Sequence, residues 1–170
     1  MKALILLLVL LPSSLVAQVI NSADNGFTIE IEKHVAVDHK AAYAQFIKIN
    51  EWWIADHTWF GRAENLNIEE IVGGCFCEIA GDKQALHMTV SFVNPNREVR
   101  MIGGLGPLQM MGVNGGMSWK FEQLKDGTTK IIHHYQVSGY AKGGLGKLAT
   151  IVDSVQSSQV EALVAKLSSH

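Results

Sequence analysis

Two histidines and a tyrosine, His57, His133 and Tyr135, are the residues whose types best suit chemistry in this chain. A neutral imidazole or a phenol in apolar surroundings can orient a ligand carbonyl or act as acid or base. No nucleophile–base–orienter set accompanies them, because the chain holds no G-x-S-x-G and no defined Cys/His signature. Solvated or hydrogen-bonded structural histidines are the competing reading, and no catalytic residue is assigned. His133 and His134 are neighbours that point to opposite faces of a strand, so they cannot both bind one ion. Cys75 and Cys77 lack the C-x₂₋₄-C spacing and second pair of a structural zinc site, and no metal or cofactor is implied. Two residues along a strand advance about 6.6 Å, at the edge of disulfide reach. Small buried core residues are therefore the expectation for both cysteines.

A second constellation is aromatic and sulfur-rich: Trp53, Trp59, Met88, Phe92, Met101 and Trp119, with Tyr135. Such residues can line a ligand cavity, the aromatics giving contact area and the methionines adapting to shape. They serve equally well as a filled core, which any domain of this size requires. Residues 103–116 hold six glycines around Pro107 and several apolar residues. That stretch reads either as an apolar flap over a cavity mouth or as two strand ends meeting at a turn.

The elements that must position these residues follow from periodicity. Residues 27–37 alternate apolar and polar, apart from Lys33, and predict a half-buried strand. Asp38 stands at an N-cap position before a helical stripe of Tyr43, Phe46 and Ile47, and Trp52-Trp53-Ile54 suggest a second helical turn. Strand-like runs follow at 66–72, 75–80, 85–93, 98–102, 117–124 and 128–140. The run at 85–93 is expected to place Leu86, Met88, Val90 and Phe92 on one face.

Asp126-Gly127 marks a hairpin between the last two strands. A two-residue turn would set inward Phe121 against outward Ile132. A three-residue loop with a left-handed Gly127 pairs Phe121 with Ile131 and Trp119 with His133, which turns His133 inward. A long helix over 145–167 carries Val152, Val155, Gln159 and Leu163 on one stripe, where the polar Gln159 needs a partner. The expected class is α+β: seven strands, two short helical pieces after the first, and a long C-terminal helix. A sheet gripping one long helix cannot close completely and leaves an apolar space between them.

Residues 1–17 read as a cleaved secretory signal, with Lys2, an apolar run from Ala3, a break at Pro12 and Ala17 at the cut. Of 170 residues, 153 then remain as a single domain over 18–170, with 13 basic residues (14 less Lys2) against 16 acidic. No basic block and no second long apolar segment occur, which argues against nucleic acid and against a membrane span. The expected location is periplasmic or secreted.

The chain resembles the START-like, or SRPBCC, helix-grip superfamily of polyketide cyclases, lipid-transfer domains and pollen-allergen-like proteins. The residues that carry the resemblance are Trp52-Trp53, His57-Thr58-Trp59, Gly73-Gly74 with Glu78, Gly104 to Gln109, Gly139-Tyr140, and Val152-Asp153 through Val155 to Gln159. The branch it most resembles is a bacterial one likened to activators of a heat-shock chaperone ATPase. The resemblance implies an internal cavity for a small apolar ligand, with Gln159 or His133 as polar contact. A cyclase-like or isomerase-like activity in the same cavity is the alternative it implies.

Overall fold

A computed structural model describes residues 18–169; the expected signal segment, residues 1–17, lies outside the described residues. Eight antiparallel strands form one sheet: β1 (Gln18–Ala23), β2 (Gly26–Val35), β3 (Leu66–Ile68), β4 (Cys75–Ala80), β5 (Lys83–Asn94), β6 (Glu98–Ile102), β7 (Asn114–Gln123) and β8 (Thr129–Ser138). Their order across the sheet is β1-β2-β8-β7-β6-β5-β4-β3. Helix α1 (His39–Ile47) follows β2, and α2 (Ala149–Ser168) closes the chain against β2 and β1. This is the expected α+β architecture of a sheet and a C-terminal helix, with one strand more than the seven anticipated.

The extra strand is β1, which pairs with β2 through Gln18↔Glu30 to Ala23↔Gly26. Its sequence, QVINSA, has no sustained alternation, because an edge strand with Ile20 54% exposed has little to bury. The expected second helical piece is instead a pair of single 3₁₀ turns, Ile49–Glu51 and Ala55–His57. Only Leu66–Ile68 of the 66–72 run is strand; Ile71 and Val72 sit exposed in the turn before β4.

Period-two patterning holds where pairing is regular. Phe27, Ile29 and Ile31 of β2 are buried, as are Met117, Trp119 and Phe121 of β7. Asp38 caps α1 by accepting from Lys40 N at 2.8 Å and Ala41 N at 3.1 Å. The β7–β8 hairpin takes the bulged register, with Phe121↔Ile131 and Trp119↔His133 and Gly127 at φ 88°. Two residues of β5, His87 and Ser91, have no partner in the register with β4 and β6. Each such bulge reverses which side chains face inward.

Beneath α1 the interior is packed solid with aromatic rings. Phe46 meets Trp119 at 5.0 Å and Phe121 at 5.4 Å between centroids, and Trp52 meets Trp119 at 5.9 Å. Further along the sheet, towards the β6–β7 loop, the packing opens into a cavity.

Candidate functional site

Five pieces of chain surround a cavity of about 470 Å³. The segment between α1 and β3 gives Trp53, Asp56, His57, Thr58 and Trp59; the β6–β7 loop gives Leu105 to Leu108 and Met111. The first half of α2 and the turn before it present Leu148, Ile151, Val152, Val155 and Gln156, and the sheet contributes His87 and Tyr135. The walls are mostly apolar, and the volume lies within the usual range for small-molecule sites. A hollow of about 610 Å³ also lies on the outer face of the sheet, among Glu98, Arg100, Lys120 and His134. It is shallow and open, with polar and apolar groups mixed along its floor.

Hydrogen bonds fix each wall. Glu78, fully buried, accepts from Trp59 N at 2.8 Å and Phe60 N at 2.7 Å, and Trp53 Nε1 donates to His57 O at 3.1 Å. Gln159 Oε1 accepts from Ile54 N at 3.0 Å, so its amide nitrogen is the group that meets His57 Nδ1 at 2.5 Å. That nitrogen can only donate, which leaves the His57 proton on Nε2. In the β6–β7 loop, Leu105 N donates to the Tyr135 hydroxyl at 3.0 Å, and Gln109 Nε2 donates to His87 O at 3.2 Å. A side chain on Gly115 would stand 2.7 Å from Tyr135 Cε2, so the glycine makes room for the ring. The glycine-rich stretch is thus a bonded wall around the 3₁₀ turn Gly106–Leu108, with Gln109 to Gly112 exposed at its tip and Met110 90% exposed.

Of the residues singled out from sequence, Trp53, His57, Trp59 and Tyr135 line this cavity. Met88, Met101 and Trp119 are buried in the packed core and do not. Phe92 faces the opposite side of the sheet: the bulge at Ser91 pairs it with Arg100, whose guanidinium lies 4.4 Å from the ring centroid. The bulge at His87 likewise turns Leu86 out, 50% exposed, and brings His87 in.

His133 does face inward beside Trp119, at 4.2 Å between centroids, but behind the cavity wall. Its partner is Gln156, with Nε2 to Oε1 at 3.0 Å, and not Gln159. Burial drives the His133 pKa down to about 3, against a smaller upward pull from Gln156. Gln159 is itself fully buried and tied to Ile54 and His57 rather than turned to a ligand.

Sequence reasoning missed Asp56, Thr58, His87 and Gln156 as wall residues. Gln156 stands one turn before Gln159 on the same helix and was visible as a second polar residue. His87 was hidden by the bulge. The cysteines form a disulfide, with Cα atoms 5.3 Å apart and both side chains half-buried on the outer face of β4. The expectation of buried free thiols fails because β4 contracts locally at this point: the two Cα atoms stand 5.3 Å apart, inside disulfide reach, where a regular strand would set them about 6.6 Å apart. Among the described residues, no helix is long and apolar enough to cross a membrane.

No family model matches the chain, and no curated protein matches it. Solved structures do. An uncharacterised protein from Rhizobium leguminosarum is 17% identical over 85% of this chain and 96% of its own, with a TM-score of 0.60. Ara h 8.0201 is 13% identical over 85% and 99%, at 0.56. The di-domain ARO/CYC StfQ from the steffimycin biosynthetic pathway is 14% identical over 84% of this chain and 50% of its own, also at 0.56. At such identities the likeness is one of fold, and it is consistent with the helix-grip arrangement of sheet and C-terminal helix.

Proposed function

We propose that this chain is an exported protein that encloses a small apolar molecule between α2, the sheet and the β6–β7 loop. The observation that carries the reading is the partly open cavity of about 470 Å³, whose walls are chiefly aromatic and aliphatic. Aromatic clustering beneath α1 fills the rest of the interior, so the open region is local. Export rests on the leader-like residues 1–17, and the Cys75–Cys77 disulfide supports it, since such bonds persist in oxidising compartments. The likeness to the chaperone-activator branch offers a protein-interaction role, and none of the cavity residues favours it.

Titration with anilinonaphthalene sulfonate tests the cavity. Saturable, blue-shifted emission at one site per chain is expected, and Val155→Trp, which fills the α2 wall, should abolish it. Emission that does not saturate, or that is unaffected by Val155→Trp, would refute enclosure. A second reading, proton transfer on a bound carbonyl compound, has His57 and Tyr135 on the cavity wall in its favour. His133 lies outside that wall, so this version predicts that any turnover is lost in His57→Ala and kept in His133→Phe.

A further inference from the structure

The Cys75–Cys77 disulfide encloses a single residue, Phe76, and so removes little freedom from the unfolded chain. Folding alone is a weak reason for such a bridge. Both cysteine side chains are half-buried on the outer face of β4, where solvent and a docked molecule can reach them. Exposed disulfides are the labile ones, open to attack by a thiolate.

The surroundings suit a docked polypeptide. In register with the pair stand Asn67 on β3 and Leu86 and Thr89 on β5, none of them charged. Leu86 is 50% or more exposed, and so are Ile79 on the same face of β4 and Ile102, which pairs with Thr89. Ile71 and Val72 are exposed to the same degree in the turn that enters β4. Exposed apolar residues gathered in this way mark interaction surfaces, and here the disulfide lies among them.

The pair is also held for the reaction to run backwards. Glu69 pins Cys75 on both sides: its carboxylate accepts from Cys75 N at 3.0 Å, and its own N–H donates to Cys75 O at 2.9 Å. Phe76 is buried, stacked on His87 at 4.7 Å and edge-on to Trp53 at 5.5 Å between centroids. After reduction the two thiols therefore stay side by side on one face, placed to close again.

We propose that Cys75–Cys77 is a thiol–disulfide exchange site that oxidises a polypeptide carrying two cysteines among apolar residues. A thiolate of that partner attacks one sulfur of the pair. The Cys75–Cys77 bond breaks as the mixed disulfide forms, and the other cysteine leaves as a thiolate. The partner's second thiolate then attacks its own half of the mixed disulfide and expels the remaining cysteine. The partner loses two electrons and two thiol protons and gains a disulfide, while Cys75 and Cys77 gain both and become thiols. A small disulfide such as oxidised glutathione resets the pair by the same two exchanges. None of this uses the cavity, which lies on the other face of the sheet.

The test mixes the oxidised native chain with either of two reduced peptides, each holding two cysteines, one set among leucines and the other among serines. Acid quenching, alkylation and mass spectrometry then follow the thiols of protein and peptide. The leucine peptide should be oxidised at least about tenfold faster, the effect of burying about one leucine side chain on docking. Two thiols should appear in the chain for each peptide disulfide formed. Leu86→Glu, a change at an exposed position, should remove the preference, and Cys75→Ser/Cys77→Ser should abolish oxidation by the protein. Oxidation no faster than in buffer or with the double variant would overturn the proposal. Equal rates for the two peptides, or a preference that survives Leu86→Glu, would do the same. So would a dimer of this chain that covers the face and shields the bridge from both peptides. The two-peptide comparison on the native chain decides the matter even if the double variant does not fold.

Discussion

Replacing Gln159 by leucine separates a structural amide from a ligand-facing one. In the fold, its oxygen holds Ile54 N at 3.0 Å and its nitrogen holds His57 Nδ1, so one side chain ties α2 to the segment that forms a cavity wall. Leucine keeps the volume and removes both bonds. The Ile54 amide is then half-buried without a partner, which costs about 1–3 kcal/mol. His57 is partly exposed and recovers water, so its contribution is smaller, and the added apolar burial returns part of the loss. A net destabilisation of about 1–2 kcal/mol follows, or a melting temperature lower by roughly 3–8 °C for a domain of this size. Thermal melts followed by far-ultraviolet circular dichroism measure it. The near-ultraviolet spectrum should change as well, because Trp53 and Trp59 lie in the released segment. A melting temperature that is unchanged or higher would refute the reasoning, since it would mean that the amide stabilises nothing.

Two further outcomes are expected. The His133 pKa falls from 6.5 in the unfolded chain to about 3 in the folded one, so between those values the unfolded chain binds more protons. Stability therefore drops as pH falls through that window, by up to about 1.4 kcal/mol per pH unit from this residue. His133→Phe should flatten that limb in urea unfolding at a series of pH values, leaving what His87 and hydrogen-bonded carboxylates such as Asp38 and Asp126 contribute; an unaltered limb would contradict the burial argument. The Cys75–Cys77 bridge closes a very short loop, so its entropic worth is about 1.5 kcal/mol. Dithiothreitol should lower the melting temperature of the native chain and leave a Cys75→Ser/Cys77→Ser variant unmoved. Free thiols in the oxidised native protein, found by alkylation, would show that the bridge is not formed.

The local pattern of the chain was enough to place most elements, because each rests on short-range physics. Asp38 caps α1 through its own backbone neighbours, the alternation in β2 and β7 needs only a buried face, and the β7–β8 register follows from turn geometry plus the requirement that Trp119 and Phe121 point inward. That register alone put His133 inside. What the sequence left open lies where strands meet out of step or where a side chain chooses between distant partners. A bulge at His87 and another at Ser91 are properties of β5 against β4 and β6, and no window of β5 read alone reveals them; they sent Phe92 out and brought His87 in. The local contraction of β4 that lets the two cysteines join is likewise invisible in a period-two pattern. Gln156 and Gln159 sit on neighbouring sides of one helix, and only the packing of α2 decided that His133 meets the first while the cavity wall hangs from the second. The sequence likewise supplied the residues of both a filled core and a cavity. It took the tertiary structure to divide them, since aromatic rings beneath α1 pack to contact while the β6–β7 loop holds its wall away from α2.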